Sequence, residues 1–170
     1  MIETGDRERP EESRPEPADR RSPGVHLPPP LVYLGAILLG VALDRFIPLR
    51  VLPGVIAPWV GGAFVLSAVI LNGLGMREFS RAGTTVRPDR AASALVTTGP
   101  FRFSRNPFYL ALAVLQTGIG IWMNNLWILA LVVPAVAIIS RAVIPREERH
   151  LAENFGSAYR DYQASVRRWL

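Results

Sequence analysis

The fold of this chain is decided by residues 106–138, NPFYLALAVLQTGIGIWMNNLWILALVVPAVAI. It holds an apolar block at 107–122 and the start of a second block that runs over 126–144. Met123-Asn124-Asn125 lies between them and has the composition of a tight turn. Blocks of this length and apolarity favour membrane helices. The stretch therefore predicts a hairpin of two membrane helices.

The start of this hairpin has a strong local signal. Asn106 can cap the free N–H groups of a helix, and Pro107 fits the first helical position, where no N–H is needed. We therefore expect the third span to begin at Pro107. Pro134 is expected to kink the fourth span because its ring clashes with the preceding turn.

Two further apolar blocks precede the hairpin, over residues 31–49 and 55–76, and Pro53-Gly54 between them predicts a turn. The first block is short because it meets Asp44-Arg45, but Arg45 can snorkel to the membrane surface. Hydrophobic residues make up 49% of the chain and the mean hydropathy is +0.22. These features predict an all-α, polytopic membrane protein with four transmembrane helices.

The regions outside the spans differ sharply from them. Residues 1–28 hold seven acidic residues, five Arg and five Pro and few apolar residues, so we expect a disordered cytoplasmic tail without a catalytic role, followed by one membrane domain over 29–170. No cleaved signal peptide is expected. Residues 146–166 have amphipathic periodicity, interrupted at Gly156-Ser157, which predicts two short helices on the membrane surface.

The arginines predict the orientation. All 19 basic residues are Arg: five lie in the tail, six in the loop 77–106 and six from residue 141 onward, which leaves only Arg45 and Arg50 on the other side. Basic loops favour the cytoplasmic side, so both termini are expected there, in a plasma (inner) membrane. The net charge of +5 then reflects basic loops that face anionic membrane lipids, and it does not indicate binding of nucleic acid.

The residue inventory excludes several chemistries. The chain has no Cys, so disulfides, thiolate catalysis and zinc–thiolate sites are excluded. Its two histidines, His26 and His150, are far apart in the sequence. We therefore expect no metal site.

Two polar clusters flank the second hairpin, one over residues 98–109 and one over 146–150. Both ends of a hairpin lie on the same membrane face, so the clusters are predicted to meet. Each also has a structural explanation. Arg102 and Arg105 fit as positive-inside charges, Glu147 and Glu148 as acids in the first turn of a helix, and Tyr109 as an interfacial aromatic.

Together the clusters resemble the isoprenylcysteine carboxyl methyltransferase family and its phospholipid methyltransferase relatives. The resemblance covers roughly residues 77–170 and is carried by Thr98-Gly99-Pro100-Phe101-Arg102, Arg105-Asn106-Pro107-Phe108-Tyr109, Glu147-Glu148-Arg149-His150-Leu151, and Phe155-Gly156 with Tyr159 and Tyr162. It implies an integral membrane enzyme that uses S-adenosylmethionine, with an Arg-His-Pro-x-Tyr motif and a Glu-Glu pair lining a cytosolic cofactor pocket. Here Asn106 replaces the His, and Ala111 stands where relatives often have Gly.

The resemblance implies a set of site residues. Arg105 and Glu148 are expected to be catalytic, and the cofactor is expected to contact Gly99, Arg102, Arg105, Asn106, Pro107, Tyr109, Glu147, Glu148, Tyr159 and Tyr162.

The chemistry of these side chains suits the cofactor. Arg102 or Arg105, with the helix N-terminus at Pro107, could bind its carboxylate. Glu147 or Glu148 could accept hydrogen bonds from the ribose or the amine. Tyrosines could pack the adenine.

The expected acceptor is a carboxylate on a lipophilic isoprenoid or lipid, which is ionised at neutral pH and needs no general base. A phospholipid amine stays open as acceptor. Two other functions also stay open: a membrane reductase related to the sterol reductases, which would use a nicotinamide cofactor, and a non-enzymatic module that binds anionic lipid.

Overall fold

The computed structural model describes residues 28–83 and 94–170, and in these ranges the chain is helical with no strand. The predicted disorder of the tail lies outside the described residues. The helices are α1 (Pro29–Phe46), α2 (Ala57–Arg81), α3 (Pro107–Trp122), α4 (Leu126–Ala130), α5 (Val132–Ile138), α6 (Ile144–Phe155) and α7 (Ser157–Ser165), with a 3₁₀ turn at Gly99–Arg102 and a π-helical turn at Ile139–Val143. The all-α prediction is confirmed for this part of the chain.

Three helical stretches of the described residues are long and apolar enough to cross a membrane: Pro29–Phe46, Ala57–Arg81 and the continuous run Leu126–Phe155. The predicted third span, α3, is also apolar but has only 16 residues, which gives a length of roughly 24 Å at 1.5 Å per residue. That is short of the roughly 20 residues a straight span needs. The predicted four spans therefore appear as three long helices and one shorter one.

Helix α3 packs antiparallel along α2 through glycines. A Cβ atom on Gly61 would lie 2.3 Å from the backbone nitrogen of Trp122, and one on Gly75 would lie 2.8 Å from the ring of Phe108. The start of α2 thus meets the end of α3, and the end of α2 meets its start. Small residues at such crossings let membrane helices approach closely, which strengthens van der Waals packing.

At the far end of the bundle, the turn at 123–125 is tied to the loop between α1 and α2. Asn124 has a positive φ of 52°. Its side chain accepts hydrogen bonds from the N–H groups of Val51 (2.8 Å) and Leu52 (3.0 Å) and donates to the Leu52 carbonyl. Asn125 caps α4 by accepting from the Ile128 N–H. The turn predicted from the sequence is therefore confirmed.

Prolines shape the helical run Leu126–Phe155, which contains the predicted fourth span and is called the fourth helix below. The regular helix is interrupted at Leu131, three residues before Pro134, because Pro134 has no N–H to donate to the Ala130 carbonyl. The helix nevertheless continues, since the N–H of Ala135 donates to the Leu131 carbonyl. The π-helical turn Ile139–Val143 precedes Pro145 and accommodates the second proline without ending the helix. The first C-terminal helix is consequently a continuation of the fourth span rather than a separate surface helix, which corrects the predicted boundary at 144–146.

The chain leaves α6 at Gly156, whose φ is +58°, and continues into α7. Gly156 is the N-cap residue of α7, and Ser157 is its first helical residue. The start of α1, the end of α2, the start of α3 and the start of α6 all lie at one end of the bundle. The two polar clusters meet there.

Candidate active site

Glu148 lies between two arginines at this end. Arg168 donates from Nε to Oε1 (3.2 Å) and from Nη2 to Oε2 (2.6 Å), and Nη1 of Arg105 lies 3.4 Å from Oε1. Glu148 is only 8% exposed. Since burying a carboxylate is costly without a compensating charge, the two arginines offset the cost of burying Glu148. Hydrogen bonding to Glu148 also raises the pKa of Arg168 above its usual value.

The segment after α7 is bound to the start of α3 by its backbone, and we call residues 167–169 the C-terminal strap. The Arg167 carbonyl accepts from the Arg105 N–H (3.0 Å). The Arg168 carbonyl accepts from Nδ2 of Asn106 (3.0 Å) and from the hydroxyl of the buried Ser104 (3.3 Å). The strap thereby places Arg168 beside Glu148.

These bonds revise the role of Asn106. It occupies the N-cap position and Pro107 is the first helical residue, as predicted. Its side-chain oxygen, however, makes no capping hydrogen bond, and its amide nitrogen donates to the strap. Asn106 is therefore a link between α3 and the strap.

The second acidic residue has a different partner. The Tyr109 hydroxyl donates to Oε1 of Glu147 at 2.5 Å, which joins α3 to α6. Among the described residues, Oε2 of Glu147 has no hydrogen-bond partner. The Tyr33 hydroxyl of α1 donates weakly to the Tyr109 carbonyl at 3.4 Å. Glu147 thus keeps one oxygen available for a ligand.

Tyr159 and Tyr162 of α7 pack beneath the site. Their ring centroids are 6.1 Å apart, and the two residues are 2% and 8% exposed. The Tyr162 hydroxyl donates to the Phe101 carbonyl (2.7 Å). Burial raises the pKa of Tyr159 to about 12, so this phenol is neutral at pH 7. Little of either ring is open to a ligand in this structure.

Gly99 and Arg102 lie at the edge of the cluster, towards the end of α2. Gly99 has a φ of +59°, and a Cβ there would lie 2.7 Å from Cγ of Glu78. Glu78 accepts from the Thr98 hydroxyl and from Nη1 of Arg81 (3.1 Å). Arg102 is exposed and has no side-chain partner in the described part of the chain.

The structure therefore brings Arg105, Asn106 and Glu148 together, and it pairs Tyr109 with Glu147. Sequence reasoning missed Arg168 and Glu78. Arg168 follows another arginine, Arg167, and the sequence does not show which of the two reaches the site. Glu78 lies near the end of α2, and no neighbouring residue type marks it as part of a site.

The chain is similar over part of its length to known proteins. The chain is 36% identical over 62 residues to an uncharacterized protein of Haemophilus influenzae, a match that covers 36% of this chain and 98% of that protein. It is 35% identical over 66 residues to the nickel-cobalt-cadmium resistance protein NccN of Alcaligenes xylosoxydans xylosoxydans, covering 39% of this chain and 31% of that protein.

No solved structure matches the chain. The phospholipid methyltransferase family model matches residues 56–158, which include α2, α3, the fourth helix and both acidic residues of the site. The chain belongs to the phospholipid methyltransferase family.

Proposed function

We propose that this protein is an integral membrane methyltransferase that uses S-adenosylmethionine to methylate a carboxylate on an isoprenoid or other lipid. The observation that carries the proposal is the meeting of Arg105, Glu148 and the Tyr109–Glu147 pair at one end of an apolar bundle. Family membership supports methyl transfer, and members of the family use this methyl donor.

The polar groups of the site fit the donor. S-adenosylmethionine carries a carboxylate, an amine, a sulfonium and ribose hydroxyls, and it supplies the methyl group. Nε of Arg105 is buried and has no hydrogen-bond partner among residues 28–83 and 94–170. It lies beside the start of α3, whose first N–H groups favour anions. These groups would hold the carboxylate. Glu147, through its available oxygen, and Glu148 would accept from the amine or the ribose.

The remaining predicted contacts would complete the pocket. Pro107 and Asn106 fix the start of α3, and Tyr109 fixes Glu147. Gly99 and Arg102 would form the rim. Tyr159 and Tyr162, being largely buried, would support the pocket from below more than they would stack on the adenine.

The surface of the bundle suits a lipophilic acceptor. A cavity of about 320 Å³ lies between α2 and α3, one turn from the start of α3, and its lining is mostly apolar: Ala68, Val69, Asn72, Gly73, Ala111, Leu112 and Leu115. A lipid tail could lie there while its head reaches the site. Exposed arginines at this end, among them Arg102, Arg146 and Arg149, would attract an anionic head. A carboxylate is already a nucleophile at neutral pH, so the protein's task is alignment.

The remaining proposals concern topology. We place the protein in the plasma (inner) membrane as a four-span protein with both termini cytoplasmic. The arginine distribution supports this orientation. The shorter α3 would span by local thinning of the bilayer or by its packing on α2.

Calorimetry on detergent-purified protein tests the cofactor. We expect S-adenosylhomocysteine to bind and a nicotinamide dinucleotide not to bind. The reverse result would favour the reductase. Binding of neither ligand by folded protein would favour the lipid-binding module.

The acceptor needs a second experiment. Membrane lipids incubated with the protein and methyl-labelled donor should acquire label that mild base releases, as for a methyl ester. A phospholipid amine is the second candidate, which the family match favours, and its N-methyl label would resist base.

A further inference from the structure

The C-terminal strap contributes a side chain that no part of the predicted motifs includes. Arg168 contacts Glu148 through two N–H groups, one to each carboxylate oxygen. This planar, bidentate geometry fixes the orientation of a carboxylate, which a single contact does not. Resting on the proposed function, we propose that Arg168 is a positioning residue that orients the Glu148 carboxylate for cofactor binding without contacting the cofactor itself.

Arg105 cannot provide this orientation alone. Only its Nη1 approaches Glu148, at 3.4 Å from Oε1, and Oε2 is contacted by Arg168 at 2.6 Å. Without the Arg168 side chain, Oε2 would lose its partner and the carboxylate would be free to rotate. Arg105 would then be drawn further toward Glu148 and away from the ligand that its unpartnered Nε can bind.

The backbone of the strap is held independently of this ion pair. The carbonyls of Arg167 and Arg168 accept from the 104–106 segment, and the Trp169 indole donates to the Ser140 hydroxyl at 3.2 Å. A change of the Arg168 side chain therefore leaves these anchors in place. Its effect on the site can be separated from unfolding of the strap.

The chain offers a matched control next to Arg168. The Arg167 side chain is exposed and has no partner in the described ranges. Arg167→Gln removes the same charge from the neighbouring position, so long-range electrostatics are nearly equal in the two variants.

The experiment measures the Kd of S-adenosylhomocysteine by calorimetry on the full chain in detergent. We compare wild type, Arg168→Gln, Arg168→Lys, Arg167→Gln, Glu148→Gln and the double variant Arg168→Gln/Glu148→Gln. Arg168→Gln should weaken binding about tenfold, as expected for loss of a charged hydrogen-bond pair. Arg167→Gln should stay within about twofold, since it removes an exposed charge only. Arg168→Lys should be intermediate, because Lys keeps the charge and lacks the fork.

The double variant separates positioning from a general structural role. If Arg168 acts through Glu148, Arg168→Gln should add nothing further once Glu148→Gln is present. Fully additive effects, or equal Kd values for Arg168→Gln and Arg167→Gln, would overturn the inference while leaving the proposed function intact. Failure of the wild type to bind would overturn both. Should Arg168→Gln not fold, Arg168→Lys against Arg167→Lys gives the same comparison, with several-fold weaker binding expected only for the first.

Discussion

The hydroxyl of Tyr109 and the carboxylate of Glu147 join α3 to α6 at the end of the bundle where the two polar clusters meet. The residues are 38 positions apart in the sequence, and each belongs to a different cluster. Their contact is the direct evidence that the hairpin brings the two motifs together, and it holds Glu147 with its second oxygen unpartnered in the described residues.

Tyr109→Phe should weaken cofactor binding and lower stability. The substitution removes one donor from a mostly buried carboxylate, and such bonds contribute about 1.5–3 kcal/mol. Tyr33→Phe is the control, because within the described part of the chain its hydroxyl makes a single, long hydrogen bond of 3.4 Å to the Tyr109 carbonyl. Thermal unfolding in detergent and cofactor calorimetry measure both effects. Equal behaviour of the two variants would show that the Tyr109–Glu147 bond does not organise the site.

Glu148→Gln should raise the Kd of the cofactor about tenfold or more. The charge it removes lies between Arg105 and Arg168, and a charged hydrogen bond of the usual strength corresponds to that factor. Glu153→Gln, on the same helix but exposed, changes the net charge equally and should have little effect. If both variants bind alike, Glu148 is a structural ion-pair partner only, and the same pair of measurements should be made with Glu147→Gln.

Local signals in the sequence were sufficient for part of this architecture. The bounds of α3 were predicted correctly because an Asn-Pro start and an Asn-rich turn are encoded by adjacent residues. The sequence did not predict that the fourth helix continues past Pro145. A π-helical turn can accommodate a proline, and no local sequence pattern indicates where such a turn forms.

In the candidate site, too, local sequence predicts the general arrangement but not the contacts of single side chains. The meeting of the two clusters followed from hairpin topology. Which of Arg167 and Arg168 faces inward depends on how the strap crosses α3, a long-range arrangement that identical neighbouring side chains do not reveal. Asn106 is the residue before the helix, as predicted, but its side chain donates to the strap carbonyl and makes no capping bond, and this long-range contact has no local signal in the sequence.

The proposed orientation can be tested by cysteine labelling, since the chain contains no Cys. Val55 is 83% exposed at the far end of the bundle, and Ser157 is exposed at the start of α7. A membrane-impermeant maleimide should label Val55→Cys in intact cells and Ser157→Cys only after permeabilisation, because the arginine-rich end is expected inside. Labelling of Ser157→Cys in intact cells would contradict the four-span topology with cytoplasmic termini.

Gly61→Ala should destabilise the bundle, whereas Gly62→Ala should not. A Cβ on Gly61 would lie 2.3 Å from the backbone nitrogen and 2.6 Å from the Cα of Trp122, and backbone atoms cannot move aside as a flexible side chain can. Forcing α2 and α3 apart at this crossing should cost about 1–3 kcal/mol, the usual range for overpacking.

The neighbouring position supplies the contrast within the same turn of the same helix. A Cβ on Gly62 would meet no atom of the described residues within 4 Å. The substitution therefore adds helix propensity without a clash and should be neutral or stabilise by up to about 1 kcal/mol. Thermal unfolding of both variants in one detergent measures the difference. Because α3 carries Pro107 and Tyr109 at its other end, the Gly61 variant should also bind the cofactor more weakly. Similar unfolding temperatures for the two variants would mean that α2 and α3 do not pack this closely, and the placement of the site at the ends of these helices would lose its basis.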